Sequence, residues 1–188
     1  MQNKDKIEIP MSKGKLIKLL FFSILFLVAS LWILLDQPEV RNPIFNNLII
    51  KNTASILGTL MGLFGIYFCT KKLLDKKPGV IIDNMGIVDN SSGVSIGRIP
   101  WSDVMAVAER AVITQKFVTI YLKNPEDYIN KETNSIKRKM LKMNFKESGS
   151  PVSISANGLK IPFIELKYNI TQKFEEFQAN EIKSSLNS

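Results

Sequence analysis

The side chains able to do chemistry are few. The chain has 188 residues, no histidine and a single cysteine, Cys69. The commonest general base and the commonest transition-metal ligand are therefore missing. One cysteine rules out an intrachain disulfide and a cysteine-ligated zinc or iron–sulfur centre. Carboxylates and hydroxyls remain. Asp83 and Asp89 frame the turn Asp83-Asn84-Met85-Gly86, and without a dense run of oxygen ligands they read as turn acids rather than a cation site. In Trp101-Ser102-Asp103, Trp101 is expected in the core, and Ser102 or Asp103 is expected to bond nearby backbone N–H groups. Asp103 and Glu109 could in principle be paired carboxylates, but nothing in the sequence marks them as a couple. Gly93-Val-Ser-Ile-Gly97 lacks the lysine and the following helix of a phosphate loop. The expectation is no enzymatic activity, no cofactor and no metal.

One cluster has a different chemistry. Lys137, Arg138, Lys139, Lys142 and Lys146 gather with no acid from Ser135 to Lys146. Glu126 to Asn144 reads as a helix, because Ile129, Ile136, Met140 and Met143 recur mostly at three or four residues. Such a patch can lie against anionic headgroups or a protein partner, or simply form a solvated helix face.

Two apolar stretches must position all of this. Leu16 to Leu35 carries one charge, Lys18, and Asn52 to Thr70 carries none. About 20 apolar residues of helix cross a hydrocarbon core, and helix is the form that satisfies its own backbone there. The first stretch is too long for a signal peptide, and no small-x-small cleavage site follows it. Residues 36–51, with Pro38 and Pro43, form a short external loop, so the spans make an antiparallel hairpin. Gly58, Gly62 and Gly65 permit close helix packing, within the hairpin or at the seam of a homo-oligomer. The absence of an ionisable residue deep in either span argues against a transporter.

Charge orients the hairpin. Of the net +8, Met1–Lys18 and Lys71–Lys77 each hold +3, and the loop holds none. This pattern places both termini in the cytoplasm and needs no nucleic acid to explain it. The layout is then a basic arm 1–15, spans 16–35 and 52–70, a basic linker 71–77, a soluble α+β domain 78–180 and a fraying tail 181–188. Within 78–180, short strands with turn residues between them predict an antiparallel sheet or barrel. The basic helix at about 126–144 is inserted among them. Phe163, Leu166, Ile170, Phe174 and Phe177 predict a closing amphipathic helix.

Pro78-Gly-Val-Ile-Ile-Asp-Asn-Met-Gly-Ile-Val-Asp-Asn-Ser-Ser-Gly93 and Gly97-Arg-Ile-Pro-Trp-Ser-Asp-Val104 carry a resemblance. The chain resembles uncharacterised bacterial inner-membrane proteins with two N-terminal transmembrane helices and a cytosolic pleckstrin-homology (PH)-like domain. The resemblance implies a PH-like antiparallel barrel closed by its C-terminal helix, on a multi-pass protein of the inner membrane. PH domains that bind phosphoinositides use basic residues in the first hairpin, and the turn Asp83–Gly86 has none. The expected role is a membrane-anchored module that binds a protein partner or the membrane surface. The alternatives are an immunity protein facing a membrane-active or secreted toxin and, disfavoured, a lipid-modifying enzyme.

Overall fold

The chain divides where its hydropathy divides. A computed structural model describes residues 6–186. It resolves into two compact units, one of residues 13–76 and one that joins the residues before them to those from Lys77 on.

The first unit is α1 (Lys13–Asp36), a single turn α2 (Pro43–Asn46) and α3 (Leu48–Leu74). Both long helices are long and apolar enough to cross a membrane, with mean hydropathy of 2.5 and 1.5 over their most apolar windows. Each is longer than the apolar stretch that predicts it. α3 starts at Leu48 because the Asn47 side chain caps it, accepting from the Ile49 and Ile50 amides at 2.9 and 3.3 Å. It continues through Lys71 and Lys72, cations that suit the negative end of a helix. The expected linker 71–77 is therefore mostly helix. The loop is pinned from α3: Lys51 Nζ donates to the Pro38 carbonyl at 2.6 Å and to Asn46 Oδ1 at 2.7 Å.

The glycines face the partner helix of the same hairpin. A Cβ on Gly62 would lie 2.8 Å from Leu27 Cβ and 3.0 Å from Leu27 Cα, on α1. Gly58 and Gly65 abut Ser30 and Ser23 in the same way. The small-residue stripe is thus occupied by α1, while Phe22, Leu25, Leu57 and Phe64 point outward and are exposed.

The second unit holds two antiparallel sheets. β1 (Lys6–Ile9), β2 (Val80–Asp83), β3 (Gly86–Asp89) and β4 (Gly97–Pro100) form one, in that order. β5 (Val104–Val112), β6 (Gln115–Leu122) and β7 (Val152–Ser155) form the other. α4 (Pro125–Lys131) and α5 (Ser135–Ser148) lie between β6 and β7, and α6 (Phe163–Leu186) ends the chain. The α+β expectation holds, but the barrel is not closed. A short 3-10 turn, Trp101–Asp103, separates β4 from β5. At the other margin the described residues show a single bridge, Met11 to Leu159. That bridge is made by the Lys160 amide on the Pro10 carbonyl at 2.9 Å and the Ser12 amide on the Gly158 carbonyl at 2.8 Å, and Pro10 has no amide hydrogen to give a further rung.

The arm and the tail also differ from expectation. Lys6–Ile9 is not a free arm, since it pairs antiparallel with Asp83–Val80; residues 1–5 lie outside the described residues. Ile7-Glu-Ile9 alternates as a half-buried strand should, with Ile9 in the core. The tail is helix as far as Leu186.

The core lies between the two sheets and α6. Val118, Ile120 and Leu122 point inward from β6, as their alternation predicts. Leu166, Ile170 and Phe174 are buried from α6, with Phe163 and Phe177 packed at the margin. α6 touches β2 of one sheet and β5 and β6 of the other.

Candidate functional site

The insertion between β6 and β7 carries the basic cluster. The single helix expected at about 126–144 is two helices, because local hydrogen bonds favour a break. Asn134 caps α5, its Oδ1 accepting from the Ile136 and Lys137 amides at 3.0 and 3.1 Å. Asparagine is among the best residues for that position. Glu132 Oε1 accepts from the Asn134 amide at 2.8 Å and fixes the link. α5 then runs to Ser148 and stops at Gly149, whose φ of 71° is the left-handed conformation that favours glycine.

The break resets which face is buried. Ile129 is buried from α4, and Leu141 is the buried residue of α5. The stripe expected to continue from Ile129 does not: Ile136, Met140 and Met143 are 73%, 44% and 53% exposed. They stand at i, i+4 and i+7, on one side of the helix. Arg138, Lys139, Lys142 and Lys146 are exposed as well. Lys137 is half-buried and turns back toward Glu132, 4.0 Å away. Of the five expected bases, Lys139, Lys142 and Lys146 therefore lie along one side of an apolar stripe that also faces out, Arg138 lies across the helix from it, and Glu147, at i+11, continues its line.

The register of the first sheet shows which of its edges this helix lies near. Ile9, Val80, Asp89 and Gly97 stand in one row. β1 ends at Ile9 and β2 begins at Val80, so this row is the edge from which the chain runs on, through residues 10–12, toward α1 and to which it returns from α3. The loop 90–96 leaves the same edge. That loop meets the insertion: Ser92, Val94 and Ile96 on one side and Asn144, Pro151 and Val152 on the other line a cavity of about 70 Å³.

The remaining candidate residues are taken up by structure. Trp101 is buried, donates its indole N–H to the Asp83 carbonyl at 2.8 Å and packs 6.1 Å from the Phe174 ring. Asp103 bonds side chains rather than backbone amides. It accepts from the Tyr128 hydroxyl at 2.5 Å and from Ser102 Oγ at 3.2 Å. Burial, helped by the Asp103 carboxylate, pushes the Tyr128 phenol well above its usual pKa. Glu109 takes Lys116 at 2.9 Å and Lys167 at 3.0 Å, which hold its carboxyl low, so it forms no couple with Asp103. Asp83 accepts from Arg98 Nη1 at 2.6 Å and from the Met85 amide at 3.0 Å. The Arg98 bond holds its carboxyl below the ordinary range. Asp89 accepts from the Ser91 amide and hydroxyl at 2.8 and 2.6 Å.

Arg98 and Tyr128 carried no signal in the sequence. They line, with Asp103, Lys131 and Glu132, a cleft of about 400 Å³ whose charges are mixed. Finding them needs the β4 register and the placement of α4, both set by distant residues. No family model, curated protein or solved structure matches the chain.

Proposed function

We propose that this is a non-enzymatic, two-span protein of the bacterial inner membrane that presents a PH-like domain in the cytoplasm as a binding module. The observation that carries the reading is the pairing of β1 with β2. These strands flank the hairpin in sequence, so the chain must come back to the side it left. Two antiparallel spans do that, and a strand on each side ties the domain to its anchor at two points. The basic residues beside both spans favour the cytoplasm for that side. Sheets of four and three strands in chain order, covered by a C-terminal helix, support the PH-like assignment. Commitment of Asp83, Asp89, Asp103 and Glu109 to turns, bases and hydroxyls supports a binding rather than a catalytic role.

Cysteine labelling tests the topology. In a Cys69→Ala background, Arg41→Cys should react with a membrane-impermeant maleimide on intact spheroplasts. Glu175→Cys should react only after permeabilisation. The reverse pattern, or equal labelling of both before permeabilisation, would sink the reading.

A further inference from the structure

We propose that the outer face of α5 lies on the anionic surface of the bilayer, with Ile136, Met140 and Met143 at the boundary between headgroups and acyl chains. Lys139, Lys142 and Lys146 would then sit among the lipid phosphates. This rests on the reading of α1 and α3 as membrane spans, and it names the ligand of the module.

Three observations converge on a lipid surface. The face is apolar along i, i+4 and i+7 yet open, which is the arrangement of a helix that lies in an interface. One flank is cationic, with Lys139, Lys142 and Lys146, and α5 has one acid, Glu147, against five bases, so its charge complements phosphate. Its place in the fold is also suited to that contact. α5 adjoins the loop 90–96, which leaves the first sheet at the edge where the chain departs for α1 and arrives from α3. Only residues 75–79 separate the end of α3 from Val80 on this edge. A bilayer asks for no shape complementarity, and flexible methionines suit an irregular apolar boundary. The turn Asp83–Gly86, the basic position of phosphoinositide-binding PH domains, lies on the opposite edge and has no base.

The full chain should be reconstituted in nanodiscs of phosphatidylcholine, with or without phosphatidylglycerol. In a Cys69→Ala background, one fluorophore goes on Met143→Cys and, in a separate sample, one on Phe22→Cys of α1. Brominated lipids, labelled shallow or at mid-bilayer, report depth by quenching. The α5 probe should be quenched by shallow bromines in anionic discs, and much less in neutral discs or at high salt. Lys139→Glu with Lys142→Glu and Lys146→Glu should weaken this contact by at least about fivefold per base removed. Ile136→Ser with Met140→Ser leaves the charges intact and should make the quenching shallower while keeping its salt dependence. Equal quenching in neutral and anionic discs, or no effect of charge reversal, would overturn the proposal. The α1 probe separates the two failures. If mid-bilayer bromines quench Phe22→Cys and shallow ones miss Met143→Cys, the spans stand and the docking face falls. If Phe22→Cys is not quenched at all, the anchoring falls and takes the docking proposal with it.

Discussion

α5 and α6 carry apolar residues at the same three- and four-residue spacings, and only α6 buries them. Leu166 and Ile170 are fully buried and Phe174 nearly so, whereas Ile136 and Met143 are more than half exposed. Two open sheet faces meet at α6, which touches β2, β5 and β6. α5 has α4 and β7 beside it, and Leu141 is its one buried residue. Periodicity therefore shows that a helix has an apolar side. Whether protein covers that side depends on strands far away in sequence.

The largest effect expected from this difference is on stability. Leu166→Ala or Ile170→Ala should cost about 2–5 kcal/mol, since each leaves a cavity in the core. Denaturant unfolding in detergent, followed by Trp101 fluorescence, would read it. If Ile136→Ala cost as much, the contrast between the two helices would be gone. Tyr128→Phe should come next, at about 1–3 kcal/mol, because it strips the half-buried Asp103 carboxylate of a donor. Its signature is regional: amide exchange should rise in α4 and α5 and stay unchanged in α6.

Acid should separate the helices in the other direction. Phe174 of α6 rests on Trp101, which bonds the backbone of Asp83, and Asp83 is held by Arg98. The Asp83 carboxyl has a depressed pKa in the folded state. Its contribution is therefore fully present well above the unfolded value of about 3.9 and is lost as pH falls through the folded one. Arg98→Gln should move that loss to higher pH, seen as an earlier Trp101 fluorescence transition in an acid titration. A profile unchanged by Arg98→Gln would show that the pair does not brace the seat of α6.

Much of the fold was legible, and the reasons for the gaps are physical. The two apolar helices, the alternating β6 and the stripe of α6 declare themselves because their signal is local and strong. β1 did not, since Ile7-Glu-Ile9 is too short to stand as a strand without its partner seventy residues away. The break at 132–134 is readable in Asn134, a good cap, but the spacing of Ile136 and Met140 runs on from Ile129 and hides it. Of the candidate site, the charges were visible and their direction was not. Lys137 belongs to the basic run in sequence, yet it turns inward to Glu132. Only the burial of Leu141 fixes which way the other four bases face.

Exposure alone does not make a docking face, and Ile113 sharpens the point. It sits between β5 and β6, 97% exposed, with φ of 56°. That conformation is costly for a β-branched side chain and easy for asparagine. Ile113→Asn should therefore raise stability by about 1 kcal/mol, read as a higher melting temperature. A drop would mean that the side chain is held by something in the fold. Unlike α5, this residue has no neighbours at helical spacing to form a stripe with it.

The smallest expected effect is the most telling for the comparison. Met140→Ser with Met143→Ser removes two large apolar groups from α5 and leaves Leu141 in place. Both side chains already meet solvent, so the free energy of unfolding in detergent should stay within about 0.5 kcal/mol of the parent. The same exchange made by depth in α6, Ile170→Ser, would add the penalty of a buried hydroxyl to that of a cavity. A loss above about 1 kcal/mol in the α5 variant would mean that its outer face is covered by the protein itself. The helix would then be a second α6, with no face left for a membrane. A null effect on unfolding, together with weaker contact on anionic discs, would separate the two helices by what covers them: the core for α6, the bilayer for α5.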